Sequence, residues 1–259
     1  MHARLLAAVR ALALILWTGS LLPPALLVWH LRRRLPRRLA RLWCRGCCAI
    51  TGLEVKRIGR PARAGPTLFV ANHVSYLDII ALGSVLGAAF IAKSEIAGWP
   101  LIGLIGRLGG TVFVKRRAAQ SVHQCAALAT RLDTGESLIL FAEGTSTDGA
   151  RVRPFKSALF GVLDRPELAA KVTIQPVTIA YTHFRGGLAI DHALRPCYAW
   201  YGDMALAPHL WSALGLPGAA VELCFHEPLS GQAFASRKSL AGHAERQVAD
   251  GLAALRRAA

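Results

Sequence analysis

From Gly59 to the C-terminus, short apolar runs alternate with stretches of helical periodicity, and that alternation leaves few folds open. Residues 67–71 (TLFVA) read as a buried strand, 79–86 as a helix and 88–92 as the next strand. Segments 110–115 (GTVFVK) and 137–142 (SLILFA) are further strands, separated by a helix over 118–132 that Gly135 helps to end. Pro154 can open a helix through 163. Strands follow at 172–181 and 221–225, and Ser236 can cap a last helix with arginines in its final turn. Such a succession builds an α/β fold, a mixed and mostly parallel sheet flanked by helices. At 259 residues the chain holds one such domain with a small appendage.

The appendage is N-terminal. Residues 5–31 are almost wholly apolar, interrupted by Arg10 and by Pro23-Pro24, and run into Arg32, Arg33, Arg34, Arg37, Arg38, Arg41 and Arg45. An apolar segment with a basic collar is a membrane signature, because lipid tails accept the first part and anionic headgroups attract the second. A cleaved signal peptide fits less well: no A-x-A-like site precedes the arginines, and Arg10 lies inside the apolar stretch. The paired prolines predict a break, giving either two short helices in one leaflet or a single crossing. The expected division is a helical membrane-anchoring segment over 1–58 and the folded domain over 59–259. The arginine excess places that domain on the cytosolic side of a membrane, in a bacterium the inner one.

A formal net charge of +16 calls for an anionic partner. The collar beside the apolar run points to a lipid surface. Nucleic acid is disfavoured, since no groove-entering helix, zinc ligand set or base-stacking aromatic pattern accompanies the charge. Of six cysteines, Cys44, Cys47 and Cys48 form a C-x2-C-C cluster without a second pair at zinc-binding spacing, so no metal is expected. Cys125, Cys197 and Cys224 read as buried small hydrophobes.

Chemistry enters directly after the first strand, at Asn72-His73-Val74-Ser75-Tyr76-Leu77-Asp78. On one continuous helix, residues five apart point about 140° away from each other, so His73 and Asp78 would not meet. They meet if His73 lies in the strand-to-helix turn and Asp78 on the first helical turn. The carboxylate then fixes the imidazole tautomer and leaves the second nitrogen free as a base.

Three other segments join this one. GTVFVKR at 110–116 ends a strand in basic residues, FAEGTST at 141–147 surrounds Glu-Gly-Thr, and IQPVTI at 174–179 is a strand bearing a proline. In this order, with NHVSYLD first, the set resembles the four motifs of the glycerolipid acyltransferase family, typified by 1-acylglycerol-3-phosphate acyltransferases. The likeness spans roughly residues 60 to 230. It implies an O-acyltransferase moving a fatty acyl group from acyl-carrier protein or coenzyme A thioester to the hydroxyl of a lysolipid. No cofactor is implied beyond that co-substrate. By the same likeness His73 is the general base and Asp78 its orienting partner. Lys115 and Arg116 become candidates for an anionic headgroup or the donor's phosphate. Glu143, Gly144 and Thr145 fall in the crevice where open sheets bind ligands. The developing oxyanion needs donors, main-chain N–H groups or the Asn72 side chain.

One position departs from the commonest family pattern. Phosphatidic-acid-forming members carry arginine after Glu-Gly-Thr, and this chain has Ser146. Arginine offers a bidentate fork for phosphate; serine offers one hydroxyl. Arg151, Arg153 and Lys156 stand nearby as other anion-holding groups. This stretch, with WYGDMALAPHLW at 200–211, resembles the branch that acylates lyso-ornithine lipid, whose head carries a carboxylate and an amine in place of phosphate. Acylation of 1-acylglycerol-3-phosphate is the alternative within the family. A serine hydrolase is the alternative outside it, but Gly144-Thr-Ser-Thr-Asp-Gly149 is one residue longer than the G-x-S-x-G elbow.

Overall fold

The computed structural model describes residues 2–32, 35–114 and 122–259. Among the described residues eight strands make one sheet: β1 (Glu54–Ile58), β2 (Thr67–Ala71), β3 (Ala89–Lys93), β4 (Val112–Val114), β5 (Leu138–Phe141), β6 (Thr173–Phe184), β7 (Ala219–Phe225) and β8 (Leu229–Ser230). Their order is β1-β7-β6-β2-β5-β3-β4, with β8 beside β6. Neighbours run parallel except where β6 meets β7 and β8. The helices are α1 (His2–Arg32), α2 (Arg37–Thr51), α3 (Leu77–Val85), α4 (Ile102–Leu108), α5 (Val122–Asp133), α6 (Pro166–Lys171), α7 (Leu206–Leu214) and α8 (Arg237–Arg257). The α/β class expected from the alternation is the fold observed.

Side chains alternate across the central strands, so the TLFVA run feeds two cores. Leu68 and Val70 point with Leu138, Leu140 and Ile174 toward α5 and α8. Phe69 and Ala71 point with Ile139, Val177 and Ile179 toward α3 and Cys48 of α2. A strand buried on both faces reads as a continuous apolar run. Ser236 caps α8 in a capping box with Ser239, and Arg256 and Arg257 sit in its last turn.

Several expectations need correcting. The prolines do not break the N-terminal segment: α1 is one continuous helix containing Pro23 and Pro24. Neither proline carries an N–H, so the carbonyls four residues earlier, those of Gly19 and Ser20, lose their helical donors while the helix continues. Pro154 starts no helix, because Phe155 N–H donates to Glu245 and Lys156 N–H to Ala142 O, which holds this stretch out of helical register. A 3-10 helix follows at Ser157–Asp164, and α6 begins at Pro166. Cys44, Cys47 and Cys48 are the buried cysteines, whereas Cys197 and Cys224 are only partly covered; the Cys125 side chain lies outside what is described. Burial pushes the Cys44 and Cys48 thiols up to about 12 and about 11.

The basic N-terminal region is also more integrated than its sequence suggests. α2 carries its buried cysteines against α3, and two of its arginines bond inward. Arg37 donates to Gly109 O and Glu136, and Arg45 to Ser84 O. Along α1, a face containing Leu5, Val9, Leu12 and Leu16 is 57–65% exposed. The opposite face docks on the domain. Trp17 lies against Gly46 of α2, and its indole donates to Trp43 O. Arg10 reaches the carbonyls of Leu214, Leu216 and Pro217 at the end of α7 at 3.1, 2.5 and 3.3 Å. Leu214 is the last residue of α7 and Leu216 and Pro217 follow its C-cap, so the guanidinium is satisfied by main-chain carbonyls at and just after a helix C-terminus, which accounts for a charge within an apolar helix. β1, inside the N-terminal stretch, is an edge strand of the sheet.

Candidate active site

β2, β5 and β6 lie side by side, with β2 central and all three parallel where they pair. Their C-terminal ends open at one edge, where an α/β sheet offers a crevice. The turn at 72–76 leaves β2, the loop at 142–156 leaves β5, and Tyr181 stands near the end of β6.

His73 lies in the turn and Asp78 is the second residue of α3. The Asp78 side chain folds back over the turn. Its Oδ2 accepts from His73 Nδ1 at 2.8 Å and from the main-chain N–H groups of Val74 and Ser75 at 2.7 and 2.9 Å. Its Oδ1 accepts from the Tyr181 hydroxyl at 2.8 Å. These bonds close the five-residue spacing that a continuous helix would leave open, and they hold a carboxylate that is 0% exposed. The N-terminal turn of α3 also favours negative charge at this place. His73 Nε2 has no hydrogen-bond partner among the described residues, and the His73 side chain keeps 17% exposure. The imidazole lies flat on Phe141, with ring centroids 3.8 Å apart and planes at 13°.

Glu143 ties this turn to the next loop. Its Oε1 accepts from His73 N–H at 2.8 Å and its Oε2 from Arg153 N–H at 3.0 Å. Burial is the main cause that pushes its carboxyl up to about 7, although both amide bonds favour the ionised form. Thr147 adds a second tie, donating its N–H and its hydroxyl to His73 O. Gly144 has φ of +70°, and a β-carbon there would meet the Lys156 side chain at 3.0 Å. Glycine thus serves both the turn and the close passage of Lys156.

The other wall comes from the chain after β6. Trp200 N–H donates to Val74 O at 2.9 Å. The Tyr76 hydroxyl meets His209 Nδ1 on α7 at 3.0 Å, while His209 Nε2 faces Pro196 O at 3.2 Å. Since Pro196 O is an acceptor, Nε2 carries the proton and Tyr76 donates to Nδ1.

The sequence-selected residues divide by placement. His73, Asp78, Glu143, Gly144, Arg153 and Lys156 come together around the crevice. Asn72 is beside them but turned into the sheet: it is 2% exposed and exchanges two hydrogen bonds with the main chain of Ile179. Thr145 and Ser146 are half-exposed, and their hydroxyls bond no described residue. Arg151 is exposed without a hydrogen bond to a described residue. Lys115 and Arg116 lie outside the described residues. Sequence reasoning assigned no role to Phe141, Thr147, Tyr181, Trp200 or His209. The first two lie within FAEGTST and Tyr181 two residues beyond IQPVTI, so proximity to the motifs was their available signal.

Known proteins resemble this chain in both sequence and fold. The profile of the family described as Acyltransferase matches residues 52–180. The lyso-ornithine lipid O-acyltransferase of Brucella abortus is 40% identical over 240 residues, covering 91% of this chain and 90% of that protein. The 1-acyl-sn-glycerol-3-phosphate acyltransferase of Neisseria gonorrhoeae is 34% identical over 177 residues, covering 67% and 64%. In fold, the crystal structure of the 1-acyl-sn-glycerophosphate acyltransferase from Thermotoga maritima superposes with a TM-score of 0.70 over 98% of this chain and 95% of that one, at 20% identity. With its motif order, its sheet and its relatives in accord, the chain belongs to the acyltransferase family and is an acyltransferase enzyme.

Proposed function

We propose that the enzyme is a lysolipid O-acyltransferase that moves a fatty acyl group from an acyl-carrier protein or coenzyme A thioester to lyso-ornithine lipid. The observation that carries the chemistry is the His73–Asp78 pair, with Nδ1 held by a buried carboxylate and Nε2 open. His73 Nε2 takes the proton of the lipid hydroxyl as its oxygen attacks the thioester carbonyl. The tetrahedral oxyanion collapses, the C–S bond breaks, and the thiolate receives the proton from the imidazolium. Proton removal by a positioned base contributes about 10²- to 10⁴-fold. Asp78 fixes the tautomer and offsets the positive charge on His73. Glu143 and Asn72, both engaged with main chain, act as braces of the turn.

Acceptor choice is supported by the Brucella abortus relative and by Ser146, which lacks the planar cationic fork suited to phosphate. Phosphatidic acid formation is the second reading, favoured by Lys156 beside Gly144 and by the exposed cations Arg151 and Arg153 in the same loop. The exposed apolar face of α1 and the arginines after it support seating on an anionic membrane, with the site on the cytosolic side of a bacterial inner membrane. Purified enzyme assayed with lyso-ornithine lipid and 1-acylglycerol-3-phosphate, each with both donors, tests the reading. A higher kcat/KM for lyso-ornithine lipid supports it, and a strong preference for the phosphate acceptor replaces it by the second.

A further inference from the structure

We infer that Tyr181 is a positioning residue for acyl transfer, acting on His73 through Asp78; this rests on the general-base reading of His73. Asp78 Oδ2 has three donors, the imidazole and two main-chain N–H groups, whereas Oδ1 has Tyr181 alone among the described residues. Tyr181 joins the first turn of α3 to β6 across 103 residues of sequence. Its ring stacks on Tyr198 at 5.8 Å and 11°, so the phenol is aimed by packing as well as by its own bond. Burial and the adjacent carboxylate push its hydroxyl well above the ordinary tyrosine range, keeping it a donor throughout the working pH.

Removing that donor acts on the base in two ways. Oδ1 remains buried without a partner, while Oδ2 keeps His73 Nδ1 and the N–H groups of Val74 and Ser75. The anion is also less well stabilised. It therefore draws the imidazole proton more strongly or takes up a proton itself, and either change leaves less competent base at a given pH. The titratable groups facing the pair are Glu143 after β5, Tyr76 in the turn, Cys48 on α2 and Tyr198 behind Tyr181. All of them are unchanged by Tyr181→Phe, so a shift between the two proteins reports on Asp78 and His73.

The test compares full-length wild type, Tyr181→Phe and His73→Ala with saturating donor and varied acceptor across pH. Tyr181→Phe keeps the ring and its stack, and a thermal melt near wild type verifies folding. The expected result is a fall in kcat of about 10- to 100-fold, the size of a lost hydrogen bond to a charged group, with KM unchanged. The acid limb of the pH profile should move upward by about half a unit or more. An unmoved acid limb, whether kcat is retained or KM rises instead, overturns the inference while an inactive His73→Ala leaves the general-base reading standing. An active His73→Ala removes the reading on which it rests.

Discussion

Glu143 holds the main-chain N–H of His73 through Oε1 at 2.8 Å, so a carboxylate after β5 fixes the backbone of the residue that follows Asn72 after β2. Because burial raises this carboxyl to about 7 from an ordinary value of 4.5, its titration reports on the integrity of that tie. Between those values the unfolded chain has released the proton and the folded protein retains it. Stability from this group is therefore present below about pH 4.5 and declines as pH rises toward 7. The expected outcome is that the unfolding free energy of wild type, minus that of Glu143→Gln, falls across this interval with a slope approaching ~1.4 kcal/mol per pH unit. Urea titrations at several pH values check it, and a difference independent of pH contradicts it.

Ser146 sets the second prediction. Ser146→Arg should raise kcat/KM for 1-acylglycerol-3-phosphate relative to lyso-ornithine lipid by about tenfold or more, since charge-assisted bonds to phosphate contribute about 1.5–3 kcal/mol. The added cation also opposes the ornithine amine, so both effects move the ratio the same way. A ratio unchanged by the substitution, with wild type already favouring phosphate, assigns acceptor choice to Arg151, Arg153 or Lys156.

The third prediction concerns the membrane. Leu12 and Leu16 are 57% and 63% exposed on the outer face of α1, so replacing both with glutamate should leave the fold intact and weaken flotation with anionic vesicles. Undiminished flotation contradicts seating through this face. Removing residues 1–45 is a harsher change, because that cut enters α2, whose Cys44, Cys47 and Cys48 are buried. Arg10→Ala should separate docking from seating. Loss of its bonds to the end of α7 lowers the melting temperature and leaves the exposed apolar face in place.

What could be read from sequence followed the range of the interactions. TLFVA reads as a central strand because both its faces are covered, and NHVSYLD reads as a turn because only a turn brings His73 to Asp78. β1 escaped notice because four of its five residues, EVKRI, are exposed and its edge position leaves no apolar alternation. Tyr181 carries no local mark of its role, since its partner is 103 residues away. Arg10 signalled something unusual in an apolar segment, but its acceptors lie more than 200 residues further along the chain. At Pro154 a local helix signal yielded to tertiary hydrogen bonds from Phe155 and Lys156.

Whether His73 removes the acceptor proton, with Asp78 as its orienting partner, is decided by the single-turnover transfer rate of His73→Ala. The expected result is a fall of at least about 10²-fold, with thermal stability and vesicle binding close to wild type. Asp78→Asn should also be severely impaired, through loss of the correct tautomer. Retention by folded His73→Ala of more than about a tenth of the wild-type rate would rule out His73 as the general base.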